Sequence, residues 1–141
     1  MNVSQLVQDV MTADPITIDA NETIVEAARK MREADVGPII VIKDGNVCGI
    51  VTDRDIAVRA VAEGMDPKTV KVGDVCSKEV ATLSPRDKVA MAIDLMEKIA
   101  VRRLPVVQDH KPVGILSLGD LVIERDPEST LAQISSAPPN E

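Results

Sequence analysis

The sequence contains no phenylalanine, tyrosine or tryptophan among its 141 residues. A hydrophobic core must therefore be filled by aliphatic side chains and methionine, and a bound nucleobase cannot stack on an aromatic ring. Histidine is almost as scarce, because His110 is the only one, and it lies in a predicted turn. Since no nucleophile, base and orienting group can be assembled around it, we expect that the protein is not an enzyme.

Excess positive charge and long apolar runs are also lacking. The net charge of −7 argues against nucleic acid and against an anionic membrane surface as partners. No stretch approaches the roughly 18 apolar residues of a membrane span, and none resembles a signal peptide, so we expect a cytoplasmic protein. The two cysteines, Cys48 and Cys76, are predicted to be buried thiols in a reducing compartment. No His/Cys cluster has the spacing of metal ligands, and we expect no metal.

What the sequence does contain is an internal repeat. Residues 9–56 align without a gap on residues 74–121 at a constant offset of 65, with 11 identities in 48 positions. Ordinary composition would give about three such identities. Each copy is near the size at which a single core is marginal, so the two copies are expected to fold as one cooperative pair.

Both copies are predicted to have the element order β-α-β-β-α, preceded by a short lead-in helix over 3–11. The first copy is predicted to contain a strand at 16–18, a helix at 23–33, hairpin strands at 39–42 and 47–51, and a helix at 53–63. The second is predicted to contain a strand at 80–83, a helical stripe at 89–96, hairpin strands at 105–107 and 113–116, and a helix at 120–125. The predicted ranges are 8–64 for the first repeat, 65–73 for a linker, 74–126 for the second repeat and 127–141 for a disordered tail.

A motif of the form Gly-x-x-Thr/Ser-x-x-Asp closes each repeat at a predicted strand-to-helix turn. The first copy ends with Thr52 and Asp55, and the second with Ser117 and Asp120. One interpretation is a helix capping box, which needs no ligand. The other is a binding site, since a carboxylate accepts both hydroxyls of a vicinal diol and a helix N-terminus favours an anion. The residues alone leave both interpretations open.

Two such motifs at one offset, each in the same place of a β-α-β-β-α unit, resemble the CBS domain. The segment 101–107 is equally typical of that family, and the whole of 8–125 resembles a tandem CBS pair, or Bateman module. The chain is similar to small stand-alone bacterial CBS-pair proteins. The resemblance implies an α+β fold in which two duplicated CBS units pack about a pseudo-twofold axis.

The resemblance also implies a regulatory function. It predicts a module that senses an adenosine-containing ligand, namely AMP, ADP, ATP, S-adenosylmethionine or a dinucleotide, and that responds through its conformation or dimer state. No cofactor is required; the adenosine nucleotide or S-adenosylmethionine is the regulatory ligand. The expected partners are a second copy, forming a homodimer, and an unidentified regulated protein. The alternative is a ligand-independent module for dimerisation or partner docking.

The family pattern assigns the candidate ligand-binding residues by position. In CBS pairs the aspartate holds the ribose hydroxyls, hydroxyl and cationic side chains meet the phosphates, and the base lies against the backbone of the first strand. Because this sequence has no aromatic residues, its base would have to lie between aliphatic side chains. Carried over to this sequence, these residues are Asp55, Asp120, Thr52, Ser117, Arg54, Arg102, Arg103, Thr17, Ile18, Thr82, Leu83, Ile50 and Ile115. The family also shares each site between repeats, which would join Asp55 to the two arginines of the second repeat and make that site the phosphate-binding one.

Overall fold

The structure is a computed structural model that describes residues 5–78 and 81–125. These residues form two compact units. The first unit consists of residues 15–78, and the second unit combines residues 5–14 with residues 81–125. Among the described residues, no helix combines the length and the apolar character needed to cross a membrane.

Helices and strands alternate through both units, which confirms the predicted α+β class and the duplication. In chain order the elements are α1 (Val7–Val10), β1 (Thr12–Ala13), β2 (Thr17–Asp19), α2 (Ile24–Ala34), β3 (Ile39–Lys43), β4 (Asn46–Val51), α3 (Asp53–Asp55), a π-helical segment (Ile56–Val61), α4 (Val72–Val75), α5 (Val89–Ile99), β5 (Arg103–Gln108), β6 (Lys111–Ser117) and α6 (Leu118–Arg125).

Helix α2 illustrates how the sequence pattern produces an element of the first unit. The Thr23 hydroxyl accepts a hydrogen bond from the Glu26 backbone N–H and so caps the helix. The buried face carries Ile24, Ala27 and Met31, at the spacing that predicted the helix. The helix ends at Asp35, whose φ of 58° lies in the left-handed region. The prediction of a helix over 23–33 is confirmed to within a residue at each end.

The sheet of the first unit has the strand order β2-β3-β4. Strand β2 pairs in parallel with β3, and β3 pairs antiparallel with β4. Asp44 and Gly45 join the hairpin with φ values of 53° and 80°. Two successive positive φ values define the type I′ turn, whose twist matches the strands, and this is the turn that the Asp-Gly pair predicts.

The segment after β4 differs from the continuous α-helix predicted over 53–63. Only Asp53–Asp55 is α-helical, and Ile56–Val61 forms a π-helix. The wider turn is visible in the 2.9 Å hydrogen bond from the Ala62 N–H to the Ala57 carbonyl, five residues back. A hydrophobic period read over so few residues does not distinguish 3.6 residues per turn from the wider π-turn, so the pattern could not foresee this change.

The second unit contains a sheet of order β1-β6-β5 and the helix α5. Helix α5 buries Val89, Ala92 and Met96, as its stripe predicts. The predicted strand at 80–83 is wrong in its described part: residues 81–83 form only a single parallel bridge, from Leu83 to Val106. Position 80 lies outside the described residues. A run of three or four apolar residues was too short to predict whether pairing would extend beyond one residue.

The first residues of each repeat belong to the compact unit that contains the hairpin of the other repeat. Strand β1, which the sequence did not predict, pairs antiparallel with β6 through Thr12 and Ile115. In the first unit, Ser77 and Ile50 form the equivalent bridge, with backbone hydrogen bonds of 3.0 and 3.2 Å. Ser77 is the residue equivalent to Thr12 at the offset of 65, and Ile115 is equivalent to Ile50. The same contact therefore occurs in both units, each time between one repeat and the other.

The hydrophobic core of each unit also contains a residue from the segment at the start of the other repeat. Val7 is fully buried in the core of the second unit, and its counterpart Val72 is fully buried in the core of the first. The ranges 8–64 and 74–126 therefore describe the repeat in the sequence. The compact units are divided at other positions, after residue 14 and before residue 81. Within the range 65–73, Val70 also packs against the first core. The tail predicted over 127–141 lies outside the described residues.

Candidate functional site

The strand-to-helix turn of the first unit is closed by a complete capping box. The Asp55 N–H donates to the Thr52 hydroxyl at 3.1 Å, and the Thr52 N–H donates to Asp55 Oδ2 at 2.9 Å. Two backbone donors at the helix start are thereby satisfied by side chains. The arrangement also fixes the carboxylate, because one of its oxygens is held against the backbone of the turn.

The second unit contains the same box with serine in place of threonine. The Asp120 N–H donates to the Ser117 hydroxyl at 3.1 Å, and the Ser117 N–H donates to Asp120 Oδ2 at 3.0 Å. The structural interpretation of the motif is thus correct for both copies. It does not displace the binding interpretation, because a carboxylate has about four acceptor positions and each box uses one oxygen.

The other carboxylate oxygen, Oδ1, has different neighbours in the two units. Asp55 Oδ1 lies 3.7 Å from Nε of Arg59, whereas Asp120 Oδ1 accepts a hydrogen bond of 3.3 Å from the Thr12 hydroxyl. Asp55 therefore faces a cation and Asp120 a neutral donor. Arg59 lies four residues after Asp55 on a helical segment, and this spacing is a local signal for an ion pair that our predicted site residues do not include.

Arg59 also contacts the first residues of the second repeat. Its Nη1 donates to the carbonyl oxygens of Val75 and Cys76, at 3.3 and 3.5 Å. These carbonyls lie at the C-terminal end of α4 and just beyond it, where a cation satisfies acceptors that the helix leaves unpaired. One side chain thus connects the Asp55 carboxylate to the first residues of the second repeat.

The candidate residues on the first sheet divide between its two faces. Thr17, Ile40 and Ile50 are directly paired across β2, β3 and β4, so their side chains lie on the same face. Ile18 lies on the opposite face and belongs to the hydrophobic core. Thr17 and Ile50 therefore share a face, while the side chain of Ile18 fills the core and offers a ligand only its backbone.

The second unit separates its candidate residues in the same way. Leu83 is buried in the core, and its backbone N–H and carbonyl are both bonded to β5, at 2.9 and 2.8 Å. Thr82 is exposed, and Ile115 is half-buried on β6, paired with both Thr12 and Pro105. Leu83 is thus a core residue, while Thr82 and Ile115 remain accessible.

The candidate cations lie at the ends of elements. Arg54 is exposed in α3 of the first unit, one residue before Asp55. In the second unit, Arg102 is exposed and directly precedes β5, and Arg103 is half-buried as the first residue of β5. Within the described parts of the chain, no group of three or more His, Cys, Asp or Glu side chains is placed to hold a metal ion.

Comparisons of sequence agree with these features. A family model described as the CBS domain matches the chain twice, over residues 7–61 and 72–125. The CBS domain-containing protein YhcV of Bacillus subtilis is 41% identical over 119 residues, which cover 84% of each chain. Hypoxic response protein 1 of Mycobacterium tuberculosis is 31% identical over 131 residues, which cover 92% of this chain and 91% of that protein.

Two solved structures extend the comparison to the fold. The structure of Hypoxic Response Protein I with two coordinated zinc ions matches with a TM-score of 0.76 and 30% identity, over 85% of this chain and 98% of the other. The CBS domain pair of protein MJ0100, in complex with 5′-methylthioadenosine and S-adenosyl-L-methionine, matches with a TM-score of 0.77 and 26% identity, over 89% and 98%. Each match covers nearly the whole of the other chain, so the common fold includes both repeats.

Proposed function

The chain belongs to the CBS domain family, and we propose that it is a regulatory module that senses an adenosine-containing ligand. The observation that carries this proposal is the pair of capping boxes, each of which fixes an aspartate at a helix start while using one carboxylate oxygen. A carboxylate that is already oriented loses little freedom when it accepts further hydrogen bonds. The adenosine compounds bound to the related MJ0100 pair support the ligand class.

The chemistry of an adenosine ligand suits the residues around each aspartate. The two ribose hydroxyls would donate to the remaining acceptor positions of Asp55 or Asp120, which gives charge-assisted hydrogen bonds. Thr17 on β2 and the exposed Thr82 provide hydroxyls, and Ile115, half-buried on β6, provides aliphatic surface for the base, whereas Ile50 on β4 is only 6% exposed. With no aromatic side chain in the protein, the base is held by aliphatic contacts.

We expect an adenosine phosphate or S-adenosylmethionine to raise the melting temperature of the full chain. A ligand at 100 times its dissociation constant stabilises the native state by about 2.7 kcal/mol. The measurement is a thermal-shift panel of AMP, ADP, ATP, S-adenosylmethionine and a dinucleotide, with guanosine counterparts as controls. The lack of aromatic residues adds a direct check, because co-purified adenine would dominate the ultraviolet spectrum of the protein.

A specific observation favours the second candidate function, a ligand-independent module for dimerisation or docking. Both capping boxes are satisfied by side-chain and backbone groups of the chain itself, so the motif has a structural role that needs no ligand. If no adenosine compound changes the melting temperature at millimolar concentration, this alternative replaces the sensing function.

We further propose that the protein is a homodimer. In the first unit, Val58, Val61 and Met65 are between 44% and 62% exposed. An open pocket of about 430 Å³ lies nearby on α2, lined largely by apolar side chains that include Val25, Ala28 and Ile56. Neighbouring apolar surface of this kind is commonly covered by a partner.

Light scattering at tens of micromolar should accordingly give twice the chain mass of 15.1 kDa. The substitution Val61→Asp places a charge in this apolar surface and should shift the mass towards the monomer. Asn46→Asp makes the same change of charge at an exposed position of the hairpin and should leave the mass unchanged. A monomeric mass for the unaltered chain would show that the dimer proposal is wrong.

A further inference from the structure

The two cysteines are 28 positions apart in the sequence but neighbours in the first unit. Cys48 lies on β4 and is half-buried, while Cys76 follows α4 directly and is only 4% exposed. The paired backbone bonds between Ile50 and Ser77 hold the two segments side by side. At Gly49, next to Cys48, an added Cβ would lie 3.2 Å from Sγ of Cys76.

The two thiols also influence each other chemically. Burial raises the pKa of Cys76 to about 11. Cys48 adds to this rise through the negative charge of its thiolate and through a side-chain hydrogen bond. Cys76 therefore remains protonated at neutral pH and is a poor initial nucleophile. Cys48, the more exposed of the two, is the sulfur that a small oxidant can reach. Neither cysteine is in a disulfide.

We propose that Cys48 and Cys76 form a redox-sensitive pair that hydrogen peroxide converts into a disulfide within the chain. The Cys48 thiol releases its proton, the thiolate attacks one peroxide oxygen, and the O–O bond breaks. Cys48 becomes a sulfenic acid, and the departing hydroxide takes up the released proton to form one water. The Cys76 sulfur then attacks the Cys48 sulfur, the S–O bond breaks, and the departing hydroxide takes the Cys76 proton to form a second water. The two thiols together supply the two electrons that reduce one peroxide to two waters.

The position of this pair gives the oxidation a structural consequence. The disulfide would tie β4, which leads into the Thr52–Asp55 turn, to the first residues of the second repeat. Arg59 already contacts the Cys76 carbonyl oxygen and the Asp55 carboxylate, so the cross-link would form beside the same connection. The proposal does not depend on ligand binding, because all of its contacts lie within the first unit.

The test is treatment of the reduced full chain with hydrogen peroxide, followed by a non-reducing peptide map. We expect one linked pair of peptides that contain Cys48 and Cys76, a mass lower by two hydrogens, and a melting temperature several degrees higher that dithiothreitol reverses. Two free thiols after treatment, or disulfides only between chains, would overturn the proposal.

Two variants assign the roles within the pair. In Cys76→Ser, which lacks the resolving thiol, dimedone should trap a sulfenic acid at Cys48 that does not accumulate in the unaltered protein. In Cys48→Ser, the buried Cys76 should remain unmodified under the same treatment. Equal dimedone labelling of Cys48 in the unaltered protein and in Cys76→Ser would contradict the resolving role. If a variant fails to fold, the peptide map of the unaltered chain still decides whether the disulfide forms.

Discussion

Replacing Gly49 with alanine should lower the free energy of unfolding by about 3 kcal/mol or more, near the upper end of the range for overpacking in a well-packed core. The new Cβ would lie 2.0 Å from the carbonyl oxygen of Ser77 and 3.0 Å from its carbonyl carbon. Both are backbone atoms of a segment held to β4 by two hydrogen bonds, so the clash cannot be relieved by a side-chain rotation. The bridge between Ile50 and Ser77 would have to separate.

The matched control is Gly114→Ala, at the equivalent position of the second repeat. There the nearest atom is Sδ of Met11, at 2.5 Å, and the Thr12 carbonyl oxygen is at 2.9 Å. A methionine side chain can change rotamer, so this substitution should destabilise the protein less than Gly49→Ala. Urea unfolding followed by circular dichroism measures both, since the chain has no intrinsic aromatic fluorescence. An equal or larger effect at Gly114 would contradict the argument.

The second large effect concerns the carboxylates of the two capping boxes. Under the sensing function, Asp55→Ala should weaken nucleotide binding by about 1.5–3 kcal/mol, the contribution of hydrogen bonds to a charged group, or roughly ten- to a hundredfold. Asp120→Ala should weaken it less, because the first box has Arg54 and Arg59 beside it. At the equivalent positions the second repeat has Gly119 and Glu124, neither of which is cationic. Calorimetric titration of the three proteins measures the difference.

The variant Asp55→Asn separates ligand binding from capping. Its amide oxygen can still accept from the Thr52 N–H, so most of the helix cap should be retained while the charge is lost. The sensing function predicts weaker ligand binding at nearly unchanged stability. The docking alternative predicts that Asp55→Ala and Asp120→Ala lower stability without any ligand-dependent effect. Equal losses of nucleotide affinity in these two alanine variants would contradict the difference between the boxes.

Local elements of this fold could be predicted because their causes are local. The Asp44-Gly45 turn, the α2 stripe and both capping boxes follow from residues within a few positions of each other. The short pairing of Thr12 with Ile115 could not be predicted, because it joins residues about 100 positions apart and involves only two strand residues. The contacts of Arg59 with the Val75 and Cys76 carbonyls could not be predicted for a similar reason, since these residues are 16 and 17 positions away, although the spacing of four residues between Asp55 and Arg59 is a local signal.

The candidate site was predictable to a smaller extent than the fold. The motif identified the two carboxylates, and their contacts confirm that both are fixed at a strand-to-helix turn. The alternation of side chains along β2, however, places Ile18 in one core, and Leu83, at an isolated bridge, is buried in the other. Which residue of a short strand points inward depends on the pairing register, and three residues are too few to define it.

The exchanged lead-in segments imply how a chain with only one repeat would behave. Such a chain would have a segment like residues 7–13 and a hairpin of its own, but the bridges in this structure join each hairpin to the first residues of the other repeat. Two single-repeat chains could satisfy both hairpins by trading these segments, which is a domain-swapped dimer. In this protein the two copies are parts of one chain, so both bridges form within a single molecule. The repeat is therefore a unit of the sequence, whereas each compact unit of the structure combines parts of both repeats.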